Sequence, residues 1–262
     1  MATTKKALLL DITKCIGCHQ CEQACREGHG QPLEQPAKLS ATAFTVLEDH
    51  GDKFVRRLCQ HCEEPSCASA CLVGALRKTP LGPVVYDAKK CIGCRYCMMA
   101  CPYQVPKYEW TKLAPLMRKC DMCYDRVSTG QQTRCAEACP TGATFFGSRD
   151  ELLFEARKRL HENSAYVQHV YGERELGGAS VFYLTDVPFE KLGFPAPAHK
   201  EAMPTLTAAA MSDTPTVVLV GGSLLAGIYW ITQRRREVLL AESKLKGNGT
   251  DQPFDTNHKE MN

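Results

Sequence analysis

Sixteen cysteines fall into four sets of four, and none is left over. Cys15, Cys18, Cys21 and Cys25 form the first set, and Cys59, Cys62, Cys67 and Cys71 the second. Cys91, Cys94, Cys97 and Cys101 form the third, and Cys120, Cys123, Cys135 and Cys139 the fourth. Thiolates are soft, anionic donors that suit iron–sulfur cores. Four of them ligate one [4Fe–4S] cubane, so the count implies four clusters. The C-x2-C-x2-C run wraps three thiolates around one cluster, and a fourth, set back by a helical turn, reaches a second. A chain carrying four such sites and little else reads as a wire for single electrons.

Other uses of the same residues fit less well. Disulfide scaffolds are usually short secreted chains, and two-residue gaps are awkward to bridge within a set. Zinc ribbons use two separated C-x2-C pairs rather than three cysteines at x2, x2 and a fourth at x3. Every set is complete, and none has Asp or His in place of a cysteine, so no three-iron cluster or open catalytic iron is expected. There is no Gly-rich phosphate loop, nucleophile elbow or paired-carboxylate constellation, and no catalytic residue is assigned. His19, His29 and His61 lie near cysteines and are expected at the surface or behind the ligands. Lys14, Lys90, Arg95 and Lys119 flank the sets and are expected either to offset cluster charge or to be ordinary solvated cations. Tyr108 and Trp110 are expected to pack in the core.

The elements that must hold these residues repeat. Lys14-Cys15-Ile16-Gly17-Cys18 recurs as Lys90-Cys91-Ile92-Gly93-Cys94, and an alanine precedes the fourth cysteine of every set: Ala24, Ala70, Ala100 and Ala138. Gly74-Ala75 and Gly142-Ala143 mark turns. Leu8–Leu10, Val84–Tyr86, Thr144–Phe146 and Val181–Leu184 read as strands. Each unit reads as loop, cysteine run, short helix, turn and short strand: a duplicated ferredoxin pattern of α+β class. Pro102 and Pro140 follow Cys101 and Cys139, completing C-x2-C-x2-C-x3-C-P in set three; Arg26 and Leu72 stand there in sets one and two. Set four carries an eleven-residue gap, Tyr124 to Arg134, and set two a four-residue gap containing Pro65. Both are expected as surface loops. Asp150 to Leu160 reads as an amphipathic helix with Leu152, Leu153, Ala156 and Leu160 on one side.

The chain has 262 residues, 44% of them apolar, and a formal net charge of +3. Four oxidised cubanes with their thiolates would bring that to about −5, so no nucleic-acid partner is expected. Prolines 188, 195, 197 and 204 mark a linker leaving the globular part. Residues 214–232 then carry no charge and span roughly 28 Å as a helix, close to a bilayer core. Tyr229 and Trp230 sit where an aromatic belt belongs, and Arg234, Arg235 and Arg236 follow. Gly221, Gly222 and Gly227 suit close packing by another helix. Residues 233–246 hold five Lys/Arg against one in 199–213, which places the tail in the cytoplasm and the cluster domain outside it. No signal peptide or twin-arginine pair is read at the start, so export is expected in company with a partner that carries the signal. The expected layout is a four-cluster domain over 1–150, a helix-and-strand extension packed on it over 151–195, a linker over 196–213, a transmembrane helix over 214–232 and a polar tail over 233–262.

Three stretches narrow the kinship. They are Cys-Asp-Met-Cys-Tyr-Asp-Arg (120–126) with Gly130-Gln131 through Cys139-Pro-Thr-Gly-Ala and Phe146-Gly147; Tyr171-Gly-Glu-Arg-Glu-Leu-Gly-Gly-Ala179; and Thr185-Asp-Val-Pro-Phe-Glu190. Over residues 7–232 the chain resembles the four-cluster iron–sulfur (beta) subunits of respiratory molybdenum or tungsten oxidoreductases and membrane-bound nickel–iron hydrogenases. The hydrogenase and formate-dehydrogenase branches are most similar, and they too carry one C-terminal anchor. The resemblance implies that sets one and four pair, and sets two and three. The ligand groups would then be Cys15, Cys18, Cys21 and Cys139; Cys120, Cys123, Cys135 and Cys25; Cys59, Cys62, Cys67 and Cys101; and Cys91, Cys94, Cys97 and Cys71. It implies a non-catalytic subunit passing electrons from a hydrogenase or formate dehydrogenase to a polytopic quinone- or haem-binding membrane subunit. The alternative is a subunit of a polysulfide, sulfoxide or nitrite reductase, with the current reversed.

Overall fold

The computed structural model describes residues 4–32, 34, 36–113, 115–195 and 200–247. They form two compact units, divided between Thr207 and Ala208.

The first unit is organised by strand β1 (Lys6–Asp11), which runs directly into the first cysteine set. Helix α1 (Gln20–Gly28) carries Cys21 and Cys25. A hairpin follows, β2 (Val46–Asp49) and β3 (Phe54–Arg57), and leads into set two. Helix α2 (Ser66–Ser69), the hairpin β4 (Leu76–Lys78) and β5 (Val84–Tyr86), and helix α3 (Tyr96–Ala100) then alternate with sets two and three. The short pair β6 (Lys107–Tyr108) and β7 (Met117–Arg118) precedes set four, which is borne by α4 (Tyr124–Val127) and α5 (Arg134–Glu137). Strand β8 (Thr144–Ser148), helix α6 (Arg149–Glu162) and strand β9 (Val181–Leu184) complete this unit.

The order β8-β1-β9 makes β1 the centre of the main sheet, antiparallel to β8 and parallel to β9. Side chains alternate across a strand, so β1 feeds two cores. Leu8 and Leu10 face a cluster with Val55, Leu58, Met122 and Tyr183; Ala7 and Leu9 face Leu152, Leu153, Ala156 and Leu160 of α6. The first cluster also contains Cys135, so the sheet packs directly beneath set four. A third, smaller core joins Cys67, Leu76, Val84 and Met117 between sets two and three. The expected strands and the α6 face lie where the sequence puts them. The hairpin β2–β3 went unnoticed, although His50-Gly51-Asp52 between two apolar pairs is an ordinary turn signal.

The stretch 171–179 shows why its glycines recur. Glu175 is buried and accepts the Gly172 amide at 2.7 Å and the Arg174 amide at 3.3 Å. Gly172, Gly177 and Gly178 hold φ of 95°, 84° and 85° there, left-handed angles that a side chain strains. Tyr171, Tyr183, Phe189 and Phe194 then stack with ring centroids 4.7–6.2 Å apart and seal the core.

Helix α7 (Met203–Gly247) differs from the expected boundaries. It begins inside the segment read as linker and continues past Thr232 through the triple arginine, because Leu239, Leu240 and Ala241 keep helix propensity within the polar stretch. Pro215 lies within it. Val217, Leu219, Leu224, Leu225, Ile228 and Trp230 are all exposed, and the helix is long and apolar enough to cross a membrane. Linker residues 196–199 and the tail from 248 onward lie outside the described residues.

Candidate metal centres

The first two cysteines of every set flank a sharp turn. The residue before the second cysteine has a left-handed backbone in all four: Gly17 (φ 70°), His61 (47°), Gly93 (72°) and Met122 (59°). That conformation turns successive amides to one side and makes a concavity for an anion. Sets one and three meet the demand with glycine. Sets two and four hold a side chain there at a cost of about 1–2 kcal/mol, which surrounding packing must offset. The third cysteine of each set then lies in a short helix, and the fourth lies on or just beyond it: Cys21 and Cys25 in α1, Cys67 and Cys71 at α2, Cys97 and Cys101 at α3, Cys135 and Cys139 at α5.

Two cavities bring cysteines of different sets together. One cavity is lined by Cys15, Cys18, Cys21 and, from set four, Cys139. Another is lined by Cys91, Cys94, Cys97 and, from set two, Cys71. Cys62 and Cys67 each interact with Cys59 and with Cys101 of set three. Cys120 interacts with Cys25 of set one, and Cys123 with Cys135. Cys21 also interacts with Cys135, Cys120 with Cys59, and Cys67 with Cys97.

Crowding and burial make these thiols hard to ionise alone. Burial pushes Cys21 up to about 11, Cys67 up to about 12 and Cys97 up to about 11, and neighbouring cysteines add to each. Only a cationic core could hold them together as thiolates. Cys139 moves the other way: burial raises it, but the Thr144, Ala143 and Thr141 amides and the Thr141 hydroxyl outweigh that. Amides also reach Cys71 from Ala75 at 3.2 Å and Cys120 from Met122 at 3.3 Å. Among the described residues no three Cys, His, Asp or Glu groups gather tightly enough for a single ion. A zinc site draws its sulfurs to about 2.3 Å from one atom; a four-iron core keeps them further apart. The donor sets fit the larger core.

The flanking residues are placed unevenly. His61 is fully buried, accepts the Val84 amide at Nδ1 (2.9 Å), and is held well below the ordinary histidine value by burial and by Lys119 and Lys78. His29 hydrogen-bonds the Cys25 carbonyl at 2.8 Å and Asp121 at 3.3 Å; that carboxylate and the Cys25 sulfur push it up to about 11. His19 meets Glu22 at 3.2 Å. Lys119 is buried and donates to the carbonyls of Val84 and Cys120. Lys14 sits over the Phe145 ring at 5.5 Å, and Lys90 is exposed. Trp110 is not a core residue: it is 64% exposed, packs edge-on to Tyr108, and carries Arg95 over its ring at 5.2 Å. The interrupted sequence around it, Lys107 to Lys119, offers too little apolar surface to bury an indole. Two further groups escaped sequence reading. Glu63, beside Cys62, gathers Lys5, Lys78 and Ser180; burial opposes its ionisation, but the lysines hold it at about 2. Arg56, on β3, lines the first cavity.

Residues 52–149 match the 4Fe–4S dicluster domain family. A Nitratidesulfovibrio vulgaris protein is 40% identical over 255 residues, spanning 90% of this chain and 69% of the relative. Hydrogenase-2 operon protein HybA of Escherichia coli O157:H7 is 36% identical over 236 residues, 72% of each chain. The nitrate-inducible formate dehydrogenase iron–sulfur subunit of Escherichia coli K12 is 37% identical over 199 residues, 68% of this chain and 67% of the relative. The chain belongs to the family of iron–sulfur electron-transfer subunits that contains HybA and the formate dehydrogenase iron–sulfur subunit. Its cofactors are four [4Fe–4S] clusters, and the chain carries sixteen cysteines.

Proposed function

We propose that this chain is the electron-conducting subunit of a respiratory complex, drawing electrons from a hydrogenase or formate dehydrogenase catalytic subunit and delivering them to a quinone- or haem-bearing polytopic membrane subunit. The observation that carries the reading is that Cys139 lines the cavity of Cys15, Cys18 and Cys21, and Cys71 that of Cys91, Cys94 and Cys97, which supports four ligand groups with exchanged fourth cysteines. The ligand groups are Cys15, Cys18, Cys21 and Cys139; Cys120, Cys123, Cys135 and Cys25; Cys59, Cys62, Cys67 and Cys101; and Cys91, Cys94, Cys97 and Cys71. Their adjacency supports conduction in that order, through the centre of the unit. The two terminal groups lie under exposed apolar side chains, Ile16 at one end and Ile92, Tyr96 and Met99 at the other, which suit contact with partner subunits. Bound at these sites, [4Fe–4S] clusters supply reversible one-electron chemistry. The protein's own residues fix their order, exclude water and set local charge; they make and break no substrate bond. The basic flank of α7 supports a cytoplasmic C-terminus and a periplasmic cluster unit on a single-pass anchor.

Anaerobic purification of the complex from membranes tests the reading. We expect about sixteen irons per chain, four reducible resonance signals and a co-purifying hydrogenase or formate dehydrogenase large subunit. Iron-free protein, or a partner of neither kind, refutes it.

A further inference from the structure

Arg56 is 5% exposed, and among the described residues no carboxylate pairs with it. Its Nε donates to Thr45 Oγ1 at 2.9 Å and its Nη1 to Thr144 Oγ1 at 3.0 Å. Both are neutral oxygens, and neither cancels a charge. The guanidinium lines the cavity of Cys15, Cys18, Cys21 and Cys139. Its charge also interacts with Cys135 and Cys120, two members of the adjoining group. Arginine keeps its proton at any accessible pH, and a buried cation without an anion is costly. The anions within reach are the thiolates of two different groups.

We infer that Arg56 is the shared counter-ion of two neighbouring [4Fe–4S] sites, the Cys15/Cys18/Cys21/Cys139 site and the Cys120/Cys123/Cys135/Cys25 site, and raises the reduction potential of both. The inference rests on the relay reading and deepens it by naming a residue that sets how readily electrons occupy one end of the series. An electron arriving at either site comes from a reduced neighbour or, in a titration, from dithionite. No bond forms or breaks, and Arg56 stays protonated, so no proton is taken up. The hydrogen bonds to the two threonines hold the guanidinium in place. The next group in the series has other cations: Lys78 beside Cys62 and Lys119 beside Cys67.

The test is a redox titration of the full chain, loaded with clusters and followed by electron paramagnetic resonance, in wild type, Arg56→Gln and Arg56→Lys. In the Gln variant two of the four potentials should fall by about a tenfold change in the oxidised-to-reduced ratio, 59 mV for one electron. The other two should stay within error, and the Lys variant should recover most of the shift. Should the Gln variant assemble only two clusters, with four restored by lysine, the counter-ion role stands on loading instead. Unmoved potentials, a shift common to all four, loss of all four clusters, or a Lys variant that behaves as the Gln variant does overturns the inference. Wild-type chain lacking four reducible clusters refutes the relay reading itself and is recognised before any variant is compared.

Discussion

Removing Cys139 separates a ligand swap from a simple linear reading of the motifs. Taken linearly, Cys139 belongs with Cys120, Cys123 and Cys135; in the fold it lines the cavity of Cys15, Cys18 and Cys21. Three variants decide the matter: Cys139→Ala, Cys15→Ala with Cys139→Ala, and Cys120→Ala with Cys139→Ala. Each lost cluster removes up to four irons of about sixteen. If Cys15 and Cys139 hold one cluster, their double variant loses no more iron than Cys139→Ala, the non-additivity of groups acting as a unit. The pair at 120 and 139 then loses about eight. The swap also carries stability. With Cys25 still joined to Cys120, a link from Cys139 back to Cys21 closes a further loop of roughly 23 residues, worth about 3 kcal/mol by loop-closure entropy. Cys139→Ala should therefore lose its remaining clusters to a chelator far faster than wild type. Iron and acid-labile sulfide analysis, with resonance spectra of the reduced protein, reads all three. Equal iron loss in the two double variants, or a 15/139 pair that loses about twice what Cys139→Ala loses, refutes the assignment.

Two further outcomes follow from local geometry. Gly172→Ala should destabilise the first unit by about 2–4 kcal/mol: φ is +95°, and a Cβ there meets the Val181 carbonyl oxygen at 2.2 Å, on the edge strand that pairs with β1. Urea unfolding of the loaded chain measures it, and a change under 1 kcal/mol (a small effect on this scale) counts against the account of the 171–179 turn. Glu109 is buried, which raises its carboxyl, but bonds from Lys112 (2.8 Å) and Arg118 (2.9 Å) and the Leu116 amide hold it below the ordinary carboxylate value. Because the folded value is depressed, its contribution is present above about pH 4.3, the unfolded value, and fades as pH falls through the folded one. Hydrogen exchange at the Glu109 amide, corrected for intrinsic rate, should therefore quicken in acid in wild type and lose that dependence in Glu109→Gln; identical profiles disprove the link.

The sequence by itself determined the four cysteine sets and their spacing, the strands beside them, the α6 face and the long apolar helix. These are local properties: cysteine type and two-residue gaps fix how three thiolates can wrap one core, and periodicity fixes which face of a strand or helix is buried. Kinship also implied the exchange of fourth cysteines. What only the tertiary structure decided is which distant segments share a cavity and which charges end up inside. Strands β1 and β8 pair antiparallel across more than a hundred residues, which carries Cys139 to the site of Cys15. Arg56 precedes set two by three positions yet serves sets one and four, because β3 aims it away from its neighbours in sequence. Trp110 stays at the surface for the opposite reason: the short β6–β7 pair gives it no core to enter. Burial of a single cation or indole depends on the summed packing of several elements, and no residue's immediate neighbours encode that sum.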